Sequence, residues 1–408
     1  MKYTLYGDGI HDDTLAIQEM LDTMCEVNLP APEKNYLISK TLIIDSNKKL
    51  NLPRFAVIKL ADNSNCPMVM NKVTYDPDET RTPQAHNELC AHLWTFVRDY
   101  SPTAVCENIE VSGGIWDFNN LNQLPNPEQS KVYEPHGYTG DGMLFYAVKN
   151  LKVSNITLRN PVHYGITFDR VSYFTIDDVT FDYKTCNPLY INMDGVHFNG
   201  NCHFGRITNL KGRCYDDLVA LNAHEGSKGP ITNIEIDGLF AEYCHSAVRL
   251  LTVSDNIENI HISNVYGTYY QYCIGLTKYY PGETTGCFDG ITLDNINASK
   301  STRELYPWPN SYMFPFIYIQ NDVVVKNLKI ENLYRKETMI PATTVDVGVN
   351  TVVENLIIDN LVLEDCLDGT TPCIVNSGTI NRLVTSNIRT NGDDEIVGEG
   401  VIKEHIKM

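Results

Sequence analysis

The sequence predicts an all-β fold, a single-stranded right-handed parallel β-helix with one short capping helix at its N-terminus. Three observations point there. The first is a repeat of the form Asn-Ile-x-Ile-x-Asn-Ile between residues 108 and 390, with clear copies at 150–156, 233–239, 259–265, 327–333 and 355–361. The second is its spacing: final apolar residues are separated by 26 positions from 239 to 265 and by 28 from 333 to 361. Alternation of period two inside a period in the twenties means short strands wound into a solenoid. The third is the recurrent Asn, which tolerates left-handed φ at a turn and stacks coil upon coil. The β-branched alternation excludes a helical solenoid.

In chain order, residues 1–35 read as a cap. Gly7-Asp8-Gly9 makes a turn, Asp12 or Asp13 is the candidate N-cap, and Leu15, Ala16, Met20 and Leu21 fall near helical spacing. A cap is needed because the first coil otherwise exposes a sheet edge. The Gly-Asp-Gly turn followed by Asp-Asp-Thr-x-Ala-Ile-Gln resembles the N-terminal cap of pectin-lyase-like β-helices. Coils follow over 36–395, starting with Tyr36-Leu37-Ile38 and Leu42-Ile43-Ile44, and 396–408 reads as a C-terminal tail. Loop insertions are expected near 61–103, 119–140 and 278–315, so the whole of 1–408 reads as one domain.

Bulk properties narrow the function. The formal charge of −19, without a basic stripe, argues against a nucleic-acid partner. No stretch approaches the ~18 consecutive apolar residues of a membrane span, so no membrane partner is expected. Residues 1–8 lack the apolar core of a signal peptide, and the twelve cysteines show no Cys-x-x-Cys pair or metal-ligand spacing. Reduced thiols, a cytoplasmic location, and no metal or organic cofactor are the expectations.

The repeat sets a register for the chemistry. After each copy comes an apolar pair with one residue between: Ile166/Phe168, Val196/Phe198, Val219/Leu221, Val248/Leu250 and Ile274/Leu276. With those pairs in the core, the residues between form one outward column of Thr167, His197, Ala220, Arg249 and Gly275. Just upstream stand Asp194, Asp216, Asp217 and His245. His245 precedes Val248 by three residues, as Asp216 precedes Val219. Carboxylates clustered there, about 5 Å apart from coil to coil, suit glycoside hydrolysis, in which one acid protonates the leaving oxygen and a carboxylate activates water. His245 is placed to hydrogen-bond the acid or position the substrate.

Asn192-x-Asp194-Gly195, then Asp216-Asp217, then a His-centred turn at Cys244-His245-Ser246, resembles glycoside hydrolase family 28, the polygalacturonases. Leu158-Arg159-Asn160-Pro161-Val162-His163-Tyr164 is similar to that family's Asn-Ser-Pro-aromatic turn. The resemblance implies an inverting reaction on a pectin-like or related oligo- or polysaccharide, with Asp216 as general acid, Asp194 and Asp217 holding the attacking water, and His245 in the family's Gly-His-Gly place. Departures are visible too. The family's Arg-Ile-Lys falls on Gly275-Leu276-Thr277, Lys278 comes one residue late, and Arg249 lies one coil early. His197 stands where the family carries an acidic or small residue, and His224–Pro230 reads as an insertion.

His197, Arg249, Lys278, His163, Tyr164 and Tyr272 are the candidate substrate-binding residues, with Tyr279 beside them. Galacturonate, another acidic sugar gripped by Arg249, and a neutral sugar all stay open. The missing export signal and the long loops suggest exo action on imported oligosaccharides. Two alternatives remain: a polysaccharide lyase, disfavoured by the few basic residues on the column, and a non-catalytic carbohydrate-binding or tailspike-like β-helix.

Overall fold

The computed structural model describes residues 2–72, 106–124, 140–185, 192–225, 227–279, 285–302, 313–367, 371–391 and 396–408. Much of the three expected insertions therefore lies outside the described residues. The described chain is a parallel β-helix with one α-helix, Thr14–Thr23. Its contacts group it into two compact units: Met1–Arg206 with Leu210–Asp216 and Glu225–Lys228, and Ile207–Asn209 with Asp217–His224 and Gly229–Met408.

In the first unit the larger sheet pairs Glu26–Asn28, Lys48–Asn51, Cys106–Ser112, Val148–Arg159 and Ser172–Asp182, each parallel to the next. A smaller sheet runs through Leu42–Ile44, Val69–Asn71, Met143–Tyr146, Ile166–Asp169 and Val196–Phe198. The coils thus begin inside the segment expected to be cap only. The helix buries Ala16, Ile17, Met20 and Leu21, while Leu15 faces solvent. Gln18 closes the edge strand by using its side-chain amide as a surrogate strand: Nε2 donates to the Ile43 carbonyl (3.0 Å) and Oε1 accepts the Ile43 N–H (2.8 Å). Asp13 is the N-cap, but its carboxylate serves Tyr6, Gly7 and Leu37 N–H groups. Asp12 takes the Thr14 N–H instead (2.9 Å).

In the second unit the larger sheet runs from Ile231–Cys244 through Asn256–Tyr269, Cys287–Lys300, Val324–Glu337, Val352–Asp365 and Thr379–Ser386 to Val401–Lys407. The smaller runs from Asp217–Asn222 through Ser246–Leu251, Ile274–Thr277, Ile317–Ile319, Val345–Val347 and Ile374–Asn376 to Ile396–Val397. Two expectations fail here. Residues 278–315 are not one loop, because Cys287–Lys300 completes a coil. Residues 396–408 are not a tail, because both sheets gain a strand there.

Stacked apolar ladders explain the pairing. Ile234, Ile260, Ile291, Leu328, Leu356 and Leu383 lie in register over six coils. All six are buried, and each such side chain contributes about 1.5–3 kcal/mol. A one-residue slip would turn the ladder to solvent. The Asn expectation holds for most copies: Asn108, Asn150, Asn233, Asn259, Asn332 and Asn360 adopt positive φ, while Asn327 and Asn355 do not. Their amides bond from coil to coil, as in Asn150 to Asn108 (2.7 Å) and Asn360 to Asn332 (2.8 Å). Glycine is required where strands bend most closely. At Gly267, φ +123°, a Cβ would sit 1.7 Å from the Ala241 carbonyl oxygen. Gly267→Ala is expected to cost at least about 1–3 kcal/mol from the backbone conformation alone, read as a lower urea midpoint by circular dichroism. An unchanged midpoint would contradict this packing.

Ten cysteines are free thiols among the described residues, seven of them buried. No helix among those residues is long and apolar enough to cross a membrane.

Candidate active site

The predicted register is present in each unit. Ile166 pairs with Val196 and Thr167 with His197 in the first. In the second, Asp217 pairs with Ser246, Ala220 with Arg249, and Arg249 with Gly275. The expected acidic residues are more enclosed than an open hollow would leave them. Asp194, Asp216, Asp217 and His245 are all buried.

On the first unit, the outward column is covered by aromatic rings and threaded with ion pairs. Asp194 Oδ2 lies 2.7 Å from His197 Nδ1. His197 Nε2 lies 3.2 Å from Glu225 Oε2 and 3.2 Å from Asn199 Oδ1. The Tyr164 ring stacks on His197 at 3.6 Å and 7°, and His163 leans on Tyr164 from a centroid distance of 3.6 Å. His163 Nδ1 meets Asp141 Oδ1 (2.7 Å), and Asp141 Oδ2 accepts the Thr167 hydroxyl (2.8 Å). Asp216 Oδ2 accepts the Asn192 N–H at 3.1 Å. The Tyr183 hydroxyl fixes the turn by donating to the Asp194 carbonyl (2.9 Å).

Three of the expected substrate-binding residues, His163, Tyr164 and His197, are buried and stack in a row. Burial pulls the His197 imidazole down, but its bonds to Asp194 and Glu225 more than reverse that, raising it from 6.5 to about 9. Its charged form therefore favours folding fully below pH 6.5, and that contribution is lost as pH rises through about 9. Burial raises Asp169, which lies behind Asn199, against hydrogen bonds from Ser227 and Asn199.

On the second unit, Asp217 is held from both sides. Its Oδ1 accepts the Ser246 hydroxyl, and its Oδ2 lies 2.9 Å from Arg249 Nε. Asp217 and His245 bring ligand-capable atoms within 4.8 Å of each other. The Gln271 N–H donates to the His245 carbonyl (2.8 Å), which ties the His turn to the next coil. The Arg249 guanidinium sits 5.9 Å from the Tyr279 ring centre, and the Tyr279 hydroxyl lies 3.3 Å from that of Tyr272.

Gly275 leaves no room for a larger residue. A Cβ there would meet the Tyr272 ring at 2.7 Å, so the tyrosine fills the space that a side chain would need. Tyr272 is fully buried against Tyr318 and Phe314. It walls this face of the coil. Arg249 is committed to Asp217, and Lys278 is half-buried at the end of its strand, with its N–H on Gln320 Oε1 (2.8 Å).

Sequence reasoning missed Asp141, Asn199, Glu225 and Ser246. Asp141 carried a signal: Asp141-Gly142 precedes Met143 as Asp194-Gly195 precedes Val196, and Met143 and Val196 both pair with Ile166. Glu225 sat within the segment read as an insertion, where no periodicity points to a role.

No protein-family model and no curated protein matches the sequence. Solved structures do. An exopolygalacturonase of Thermotoga maritima aligns with a TM-score of 0.58 and 15% identity, over 98% of this chain and 89% of its own. The family 28 exopolygalacturonase of Yersinia enterocolitica aligns at 0.57 and 14%, over 99% of this chain and 76% of its own. The chain has the pectin-lyase-like β-helix fold. PfbA, a surface adhesin of Streptococcus pneumoniae, also aligns, at 0.53 and 14%, over 99% of this chain and 90% of its own. At these identities the likeness establishes the fold of the β-helix and nothing of its chemistry.

Proposed function

We propose that this β-helix is a glycoside hydrolase that cleaves O-glycosidic bonds of an oligo- or polysaccharide with inversion. Asp216 donates a proton to the leaving oxygen, and Asp217 with Asp194 takes a proton from the attacking water. His245 positions the acid or the sugar. One observation carries the reading: Asp217 is fixed between the Ser246 hydroxyl and the Arg249 guanidinium, with His245 in reach. A paired guanidinium keeps a neighbouring carboxylate anionic, as a water-activating base requires. The fold shared with polysaccharide hydrolases supports a saccharide as substrate. Commitment of Arg249 to Asp217 counts against a lyase, which needs a proton-abstracting base beside a uronate.

The test is incubation with polygalacturonate, xylogalacturonan and a panel of neutral glycans, following new reducing ends and the anomeric configuration of the first product by NMR. Inverted anomers released from one chain end are expected. Unsaturated uronate products would establish the lyase alternative. Retained anomers would overturn the mechanism, and binding of a glycan without turnover would favour the adhesin-like role.

A further inference from the structure

Both ring nitrogens of His197 face acceptors. Nδ1 faces the Asp194 carboxylate at 2.7 Å, and Nε2 faces Glu225 Oε2 and Asn199 Oδ1, each at 3.2 Å. The orientation of the Asn199 amide is fixed from behind, because its nitrogen donates to Asp169 Oδ2 (2.9 Å). The same Asp169 oxygen accepts the Ser227 N–H (3.0 Å) and so acts as an acceptor. The Asn199 oxygen is thereby turned toward His197. An imidazole facing acceptors at both nitrogens satisfies them only by carrying a proton on each. Neutral imidazole would leave one buried carboxylate or amide oxygen facing a lone pair, at a cost typical of an unmet buried hydrogen bond.

We propose that His197 is a resident imidazolium clamped between Asp194 and Glu225, and that Glu225 is a positioning residue which acts through it to keep Asp194 charged and aimed. The reading rests on the role given to Asp194 in the proposed hydrolysis. Asp194, Glu225, Asn199 and Tyr164 all fit a trapped cation. Asp194 comes from the turn before the strand, Glu225 from the segment 224–228, and Asn199 from just beyond the strand's end. Tyr164 presents its ring face at 3.6 Å, the geometry of a cation on an aromatic face. Behind Tyr164, the His163–Asp141 pair (2.7 Å) adds one more carboxylate to the same side.

This gives the segment His224–Pro230 a purpose. It carries the second carboxylate that a histidine needs once it occupies a position buried beside Asp194. Without Glu225 the cation would share one carboxylate, and its proton would leave at lower pH. Loss of an opposite charge at this range lowers a histidine by about 1–3 pH units.

The deciding measurement is an NMR titration of histidine-labelled protein, with the His197 resonance assigned from its loss in His197→Gln. In the wild type the ring is expected to stay doubly protonated at pH 7.5, above the ordinary histidine midpoint of about 6.5. In Glu225→Gln its midpoint is expected to fall by about 1–3 units, with partial recovery in Glu225→Asp. A singly protonated wild-type ring at pH 7.5 overturns the proposal without reference to any activity, whether or not the Glu225 variants fold.

A second arm uses whichever glycan of the panel is cleaved. The alkaline limb of kcat should move to lower pH in Glu225→Gln with KM little changed, which loss of mere structural support would not produce. Full activity in Asp194→Asn would remove the catalytic reading while leaving the NMR result intact. An inactive Asp194→Asn alongside an unmoved pH profile in Glu225→Gln would remove the positioning role alone.

Discussion

Asp217→Asn is expected to lower kcat by at least ~10³-fold, the scale of losing a general acid or base, and Asp216→Asn by a similar factor. The asparagine keeps the size of Asp217 and an oxygen for the Ser246 hydroxyl, which that oxygen accepts in the wild type. What it loses is the charge. Asp217 can no longer take a proton from water, and Arg249 loses the carboxylate 2.9 Å from its Nε. The guanidinium then sits beside a neutral amide and has less reason to hold its place. A fall in kcat with an unchanged unfolding midpoint identifies a chemical role. A fall in both would mean that the ion pair supports the coil, and Arg249→Met should then reproduce the stability loss without the full kinetic one. Turnover like that of the wild type in Asp216→Asn or Asp217→Asn removes these residues from the mechanism.

The fold was legible because it is periodic. An Asn at a left-handed turn and an apolar pair one residue apart recur in many of the coils, so each copy corroborates the next. The outward column over Thr167 and His197, and over Ala220, Arg249 and Gly275, followed from that register. What covers the column was not legible. Tyr164 and Tyr272 fold back over their neighbours, and rotamers of single aromatic residues leave no mark on a repeat. The Cys287–Lys300 strand was legible in principle, because Gly290-Ile291-Thr292-Leu293-Asp294-Asn295-Ile296 follows the repeat with glycine in the place of the first asparagine. Val401–Lys407 was hidden: its exposed, charge-rich alternation carries few buried side chains, although its pairing with Thr379–Ser386 is regular. Ion-pair partners such as Glu225 depend on where a turn lands in space, which spacing along the chain does not encode.

The stability of the second unit is expected to depend most sharply on a buried ion pair away from the column. Arg335 is fully buried, and its guanidinium meets Glu337 Oε2 through Nη2 (2.7 Å) and Nε (3.1 Å). Its Nη1 donates to the Ala342 carbonyl (2.7 Å) and the Thr344 hydroxyl (3.0 Å). Glu337 Oε1 accepts the Met339 and Ile340 N–H groups, each at 2.9 Å. Together the two side chains replace strand pairing across the turn from Val324–Glu337 to Val345–Val347. Removing one member of a buried pair leaves the other uncompensated, at about 3–5 kcal/mol. Glu337→Leu should be the worse single change, since it strands both a buried cation and the buried Ile340 N–H. Arg335→Met leaves the carboxylate with the Met339 and Ile340 donors and the Lys300 N–H (3.3 Å). Combining the two should therefore recover part of the loss seen in Glu337→Leu alone, because the stranded cation goes with it. The recovery stays partial, because the buried Ile340 N–H remains unmet at about 1–3 kcal/mol. Urea midpoints by circular dichroism decide the matter. A double variant less stable than Glu337→Leu would mean that Arg335 holds this turn through the Ala342 and Thr344 contacts, with the pairing of charge secondary.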